Sequence, residues 1–358
     1  MTDPMIAAAR LEMDAKTKPV GSLGELEQLA VRLAAIQRTL QPDVSRARVV
    51  VFAADHGVTV EGVSAYPRQV TAEMMRNFAR GGAAVCTLAR SADVEVEVVD
   101  VGVDAELREE LDALAARGGT HVVHARVGRG TRNLRLEPAM SADECAAAIE
   151  VGREAVRRAA AAGVRAVGLG EMGIGNTTAA SALLCQLANV VPEEAVGRGT
   201  GVDDHGLNRK LLVVRDALSR HATMEGARDA FAALASLGGL ELAAIAGAVL
   251  EAPAHRMVMV VDGFISTVAT LAAVRMDPGS ARTLVFAHSS AEHGHAAALG
   301  ALGARPLLSL GMRLGEGSGA VLAIPLLRAA AAVLRDMSTF DSANVSRGEP
   351  ADTLEEQA

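Results

Sequence analysis

The stretch GLGEMGIGNTT, residues 168–178, decides how the rest of the chain is read. An apolar run, Val164 to Val167 broken only by Arg165, leads into it, and a small-residue helical pattern from Ala179 to Leu187 leads out. Gly168, Gly170, Gly173 and Gly175 fall within eight positions, and glycine admits left-handed backbone and close approach by a ligand. A strand, a glycine turn and a helix start, with Asn176, Thr177 and Thr178 as expected caps, make an anion cradle from the unpaired N–H groups of the first turn. Glu171 is out of place in a loop that only holds phosphate, so the stretch reads as a site binding phosphate at one edge and doing chemistry at another. A plain tight turn is the alternative, because the chain is glycine-rich (35 of 358 residues) and the stretch fits neither the dinucleotide fingerprint nor the P-loop.

Outward from this stretch, short β-branched runs alternate with helical patterns. ARVVVFAADHG ends in Asp55 and His56, VEVEVVDVGV spans Val94 to Val103, HVVHARVG follows a charged helix, MVMVVDGF ends near Asp262, and TLVFAHSS ends at His288. Such alternation predicts an α/β fold, a doubly wound and mostly parallel sheet of Rossmann-like type. Ligands of such sheets gather at the carboxyl ends of the strands. The two ends of the chain carry helical patterns and no strand, predicting a small helical domain from residues 1–45 plus 318–346 around a large domain, 46–317. Ser22 with Glu25 reads as a capping box for the second helix, and the polar tail 347–358 is expected to be disordered.

Composition limits the function classes. Half the residues are hydrophobic, but there is no Trp, one Tyr and six Phe, so Ala, Val, Leu and Gly must fill the core. A net charge of −8 argues against nucleic acid as a partner. No apolar run reads as long enough to span a bilayer and no leader pattern is visible, so a cytoplasmic location is expected. Cys86, Cys145 and Cys185 read as buried small hydrophobes.

A second glycine stretch, GMRLGEGSGA, carries Glu316 between Gly315 and Gly317. Glu171 and Glu316 are thus two acids on glycine backbones among apolar neighbours. Poor hydration would raise their pKa values and suit either to general-base work, whereas two surface loop acids would be idle. HSSAEHGH, with His288, Glu292, His293 and His295, lacks the HExxH spacing, so no metal site is expected, and Ser289 and Ser290 lack the G-x-S-x-G elbow.

Taken together, KPVGSLG, AADHGVTVEGVSAYPRQVT, GTRNL, GLGEMGIGNTTAASAL, GRGTGVDD, DGFIS, HSSAEHGH, RLGEGSGA and MSTFDSANVS resemble, in one order over about residues 10–346, the nicotinate-nucleotide–dimethylbenzimidazole phosphoribosyltransferases. The resemblance implies transfer of phosphoribose from nicotinate mononucleotide to 5,6-dimethylbenzimidazole by a homodimer needing no metal or other cofactor, with no membrane or nucleic-acid partner. It makes Glu316 the catalytic base, and the chemistry then gives Glu171 a second catalytic role, stabilising the oxocarbenium-like sugar or binding its hydroxyls. The 5′-phosphate is then expected on the N–H groups of Gly173, Ile174, Gly175, Asn176, Thr177 and Thr178. The GRGTG loop (Arg198, Gly199, Thr200, Gly201) with Asp203 is expected to join them, and Lys210 is a lesser candidate. The flat base is expected against Met172, Leu314, Gly315 and the loop of Ser64, Tyr66 and Gln69. Two rival readings stay open: a metal-dependent hydrolase using Asp55, His56 and the 288–295 cluster, and a binding module that holds the mononucleotide without consuming it.

Overall fold

A computed structural model of the chain describes residues 3–221 and 229–346, so the tail 347–358 lies outside the described residues. Six strands, β1 (Ala47–Ala54), β2 (Glu95–Gly102), β3 (His121–His124), β4 (Ala166–Met172), β5 (Val258–Val261) and β6 (Leu284–Phe286), form one sheet in the order β3-β2-β1-β4-β5-β6. Every pairing is parallel. Parallel strands covered on both faces read as unbroken apolar runs, and Val49 to Ala54 accordingly are all fully buried. The strand order reverses between β1 and β4, which opens a crevice at their carboxyl ends. Their register, Phe52 opposite Glu171 and Ala53 opposite Met172, sets the last residues of β1 beside the glutamate of the glycine stretch.

The flanking helices pack closely because the chain lacks aromatic bulk. A Cβ on Gly152 of helix Ala142–Ala161 would run into the Ala244 carbonyl of helix Leu240–Glu251, and one on Gly247 would run into the Ile149 carbonyl. Backbone meets backbone there, filling with small residues what large side chains fill elsewhere. Ser141 caps the first of these helices in a reciprocal box with Glu144.

The chain divides into two compact units, Ser45–Pro325 and Met1–Val44 with Leu326–Ala358. The dividing point falls at Pro325, inside helix Ser318–Asp336 rather than before it. In the smaller unit, helices Pro4–Asp14 and Glu25–Gln37 pack together, and a bridge pairs Lys16 with Thr339. Ser22 does not cap the second of these helices: Gly24 stands at its start, and Glu27 turns back to accept from the Leu23 N–H and the Lys18 ammonium. Helix Ser318–Asp336 corrects another expectation. It is long and apolar enough to cross a bilayer, and 56% of its most apolar window is buried inside the protein, as in a core helix.

Candidate active site

The site is built where β4 ends. A Cβ on Gly170 would lie 2.5 Å from the Glu316 carbonyl oxygen, so only a bare α-carbon lets the RLGEG turn rest on the strand. That turn holds three consecutive left-handed residues, Gly315 (φ +87°), Glu316 (φ +63°) and Gly317 (φ +83°). For Glu316 this backbone costs about 1–2 kcal/mol. The conformation is held from β5: Asp262, just past the strand, accepts from the Gly317 N–H (3.2 Å) and the Ala320 N–H (2.9 Å) and so caps helix Ser318–Asp336. The result brings Glu171 and Glu316 to the wall of one cleft of ≈ 530 Å³.

Both acids are buried and short of counter-charge. Burial pushes Glu171 up to about 8, helped by the nearby carboxylates of Asp262 and Glu241, while the Asn176 side-chain amide, donating to Oε2, works the other way. Asp262 is pushed up to about 7 by burial, against the N–H groups that it accepts from. Burial also raises Glu316, opposed by the Val85 N–H, which donates to Oε2 at 3.3 Å from the first turn of helix Ala84–Ala92. A buried acid poised above the ordinary carboxylate range suits a general base at neutral pH.

Beside these acids, two loops carry bare backbone donors. In the 168–178 stretch the Ile174 N–H goes to Thr71 Oγ1, the Asn176 N–H to the Gly173 carbonyl and the Thr178 N–H to the Gly175 carbonyl. The N–H groups of Gly175 and Thr177 have no acceptor among the described residues, nor do those of Gly199 and Thr200. Lys210, fully buried, donates from Nζ to Thr177 Oγ1 (3.2 Å) and to the Gly197 carbonyl (2.9 Å), tying the two loops together. Burial lowers its pKa to about 8, with Glu292 pulling the other way. The loop before helix Asn176–Ala188 and the 197–200 loop thus carry two free donors each and are tied by one buried lysine, a chemistry suited to an anion.

Tyr66, Met172, Gly173, Ile174, Asn176, Thr177, Gly199, Thr200, Leu314 and Gly315, named in the sequence as substrate-binding candidates, line this cleft. Ser64 stands behind it, its hydroxyl 3.1 Å from Thr200 Oγ1, and Gln69 starts helix Val70–Ala79. Asn176, Thr177 and Thr178 are not caps, because Gly175 (φ +98°) starts the helix and frees the Asn176 amide for Glu171. Thr178 is buried behind the loop, and Gly201 forms a turn (φ +104°) away from the lining. Arg198 reaches back to the Val202 carbonyl and Asp204, and Asp203 accepts from the Gly206 N–H at the start of helix Asp204–His221.

The residues of the hydrolase reading are engaged separately. Asp55 faces Arg68 (3.4 Å) and His56 meets Glu241 (2.6 Å). His295, lowered to about 4 by burial, accepts at Nδ1 from the Ser290 N–H. His293 meets the Glu193 carbonyl, and His288, lowered by burial, lines the cleft with its Nε2 3.7 Å from Asp262. Among the described residues no three His, Cys, Asp or Glu side chains gather as metal ligands. Phe264, Ile265, Ser266, Ser290, Glu292 and Arg313 line the cleft without having been expected there. DGFIS and HSSAEHGH contain all but Arg313, so strand-end position was a usable signal; Arg313, donating to the Gly199 carbonyl at 3.1 Å, lies in the RLGEG motif itself.

Comparison with known proteins agrees with this geometry. A family model described as Phosphoribosyltransferase matches residues 1–345. The nicotinate-nucleotide–dimethylbenzimidazole phosphoribosyltransferase of Chromobacterium violaceum is 51% identical over 339 residues, covering 95% of each chain. The enzyme of the same name from Pseudomonas aeruginosa strain PAO1 is 50% identical over 345 residues, 96% of this chain and 95% of that one. The crystal structure of CobT from Thermus thermophilus superposes with a TM-score of 0.90 at 49% identity, covering 97% of this chain and 100% of that chain. Fold and sequence thus agree, and the chain belongs to the nicotinate-nucleotide–dimethylbenzimidazole phosphoribosyltransferase family.

Proposed function

We propose that the cleft binds nicotinate mononucleotide and 5,6-dimethylbenzimidazole and passes phosphoribose from one to the other, giving α-ribazole 5′-phosphate and nicotinate. The observation that carries this reading is the pairing of two buried carboxylates, Glu171 and Glu316, with an anion cradle in one cleft. The 5′-phosphate occupies the free N–H groups of Gly175, Thr177, Gly199 and Thr200, with Lys210 behind them. The flat base lies against Tyr66, Met172 and Leu314.

The C1–pyridinium bond is already activated, since its electron pair returns to a ring nitrogen that leaves neutral, so no general acid is needed. The lone pair of one benzimidazole nitrogen attacks C1 from the opposite face, which inverts the β-glycoside to α. The second ring nitrogen then gives its proton to Glu316. Glu171, protonated at neutral pH before substrate binds, is drawn toward its ionised form by the cationic donor and steadies the positive charge that develops on the sugar. The enzyme acts as a homodimer in the cytoplasm.

The test is a chromatographic assay of the purified chain with both substrates. Nicotinate and α-ribazole 5′-phosphate are expected in equal amounts. Release of free ribose 5-phosphate would mean hydrolysis, and binding without either product would mean a sensing module.

A further inference from the structure

His56 and Glu241 are the most deeply buried ionisable pair beside the cleft, and the transfer chemistry uses neither. Both side chains are 0% exposed, and His56 Nε2 lies 2.6 Å from Glu241 Oε1. His56 follows β1; Glu241 sits in the first turn of helix Leu240–Glu251, after Gly238 and Gly239. The imidazole lies directly under the phosphate loop. A methyl group placed on Gly173 would be 3.3 Å from His56 Cδ2, and one on Gly175 would be 3.3 Å from His56 Cβ and 3.0 Å from Thr59 Cγ2. A methyl on Gly239 would strike the ring from the other side. Thr59 Oγ1 donates to the His56 carbonyl at 2.8 Å, fixing the backbone from which the ring projects. The ring is therefore a floor gripped between two glycine segments, and Glu241 sets its rotation. His56 Nδ1 and Glu241 Oε2 have no hydrogen-bond partner among the described residues, so the 2.6 Å contact is the one hydrogen bond that orients the ring within that packing.

We infer that His56 and Glu241 are positioning residues for the donor's phosphate: the Glu241-oriented imidazole braces the 173–177 loop so that the Gly175 and Thr177 N–H groups converge on one anion. The pair touches neither substrate. This rests on the functional reading above only in naming the phosphate as the donor's, because a braced loop binds phosphate whether or not transfer follows.

The test compares Glu241→Met, which keeps the bulk and loses the acceptor, with Glu241→Gln, which keeps an oxygen for the ring N–H. With the full chain, Glu241→Met is expected to raise the KM for nicotinate mononucleotide and the competitive inhibition constant of inorganic phosphate by about tenfold each, as loop misplacement does. The KM for dimethylbenzimidazole should stay within about twofold, and Glu241→Gln should recover most of the loss. A change shared by both substrates, no change at all, or no recovery in Glu241→Gln overturns the inference. Should Glu241→Met fail to fold, Thr59→Ala, at a half-buried position, is expected to raise the mononucleotide KM about threefold alone. An unchanged KM in that variant overturns the inference equally. Calorimetric binding of inorganic phosphate separates the two readings, since a wild-type chain that binds it without transfer breaks the functional reading and leaves the brace standing.

Discussion

The amino ends of β1 and β2 and the cleft at the carboxyl end of β4 treat their glutamates in opposite ways. At the amino ends of β1 and β2, Glu95 meets Arg48 (2.6 Å) and Arg46 (3.2 Å), and Glu97 meets Arg48 (2.8 Å) and Arg158 (2.7 Å). Hydrogen bonding to Arg48 holds Glu95 below the ordinary carboxylate range. At the carboxyl ends, Glu171 and Glu316 are each met by a neutral amide, and burial moves both upward. Arginine also meets Asp55 and Asp100 at the carboxyl ends of β1 and β2, so what sets the cleft apart is that its two glutamates are left without one. Arg46 and Arg48 stand at the start of β1 beside Glu95 and Glu97, whereas β4 runs from Glu171 into a glycine turn.

Glu316→Gln should give the largest effect. It keeps shape and binding and loses the base, so kcat should fall by about a hundredfold or more while the mononucleotide KM barely moves. Wild-type turnover would break the contrast outright. Gly170→Ala follows: its Cβ would meet the Glu316 backbone at 2.5 Å and push the turn off β4. Steady-state kinetics should show kcat reduced by about ten- to a hundredfold with all carboxylates still present, which would sharpen the claim that placement decides.

Third is the pH dependence of stability. Glu171 has a folded pKa of about 8 against an ordinary 4.5, so between those values the unfolded chain releases a proton that the folded chain retains. Stability from this group therefore falls as pH rises through that window, by about 1.4 kcal/mol for each pKa unit. Urea titrations of Glu171→Gln should show it gaining on the wild type, by a few kcal/mol between about pH 5 and 8. A constant difference would refute the raised value. The smallest effect belongs to Glu95→Gln at the other end. A depressed carboxylate stabilises above its unfolded pKa and loses that contribution as pH falls through its folded one. This half-exposed pair should contribute under about 1 kcal/mol, visible near neutral pH and gone in acid, with kcat and KM untouched.

Much of this arrangement was legible in the chain because it is local. The apolar runs of β1, β2 and β4 announce themselves, and the glycines around Glu171 and Glu316 mark turns that bring an acid close to backbone. Features that depend on distant partners were not legible. Nothing near Gly170 says that the 315–317 turn rests on it, and nothing near Asp262 says that it caps that turn. The caps expected at Ser22 and at Asn176 to Thr178 failed for one reason. A glycine at positive φ, Gly24 (φ +56°) and Gly175 (φ +98°), starts each helix in their place, and at the second of them the Asn176 amide turns to Glu171 instead. His56 drew notice as a strand-end residue, but its role depends on Glu241, 185 positions away.

Glu316 is the one side chain in a three-residue left-handed run that glycine would occupy more comfortably. Drift at this codon therefore has a thermodynamic slope: a change to glycine relaxes the backbone and removes a buried acid, and under the proposed mechanism it ends turnover. A mutant library selected for heat resistance alone should enrich that inactive variant, so only continuing demand for the product keeps the acid in place.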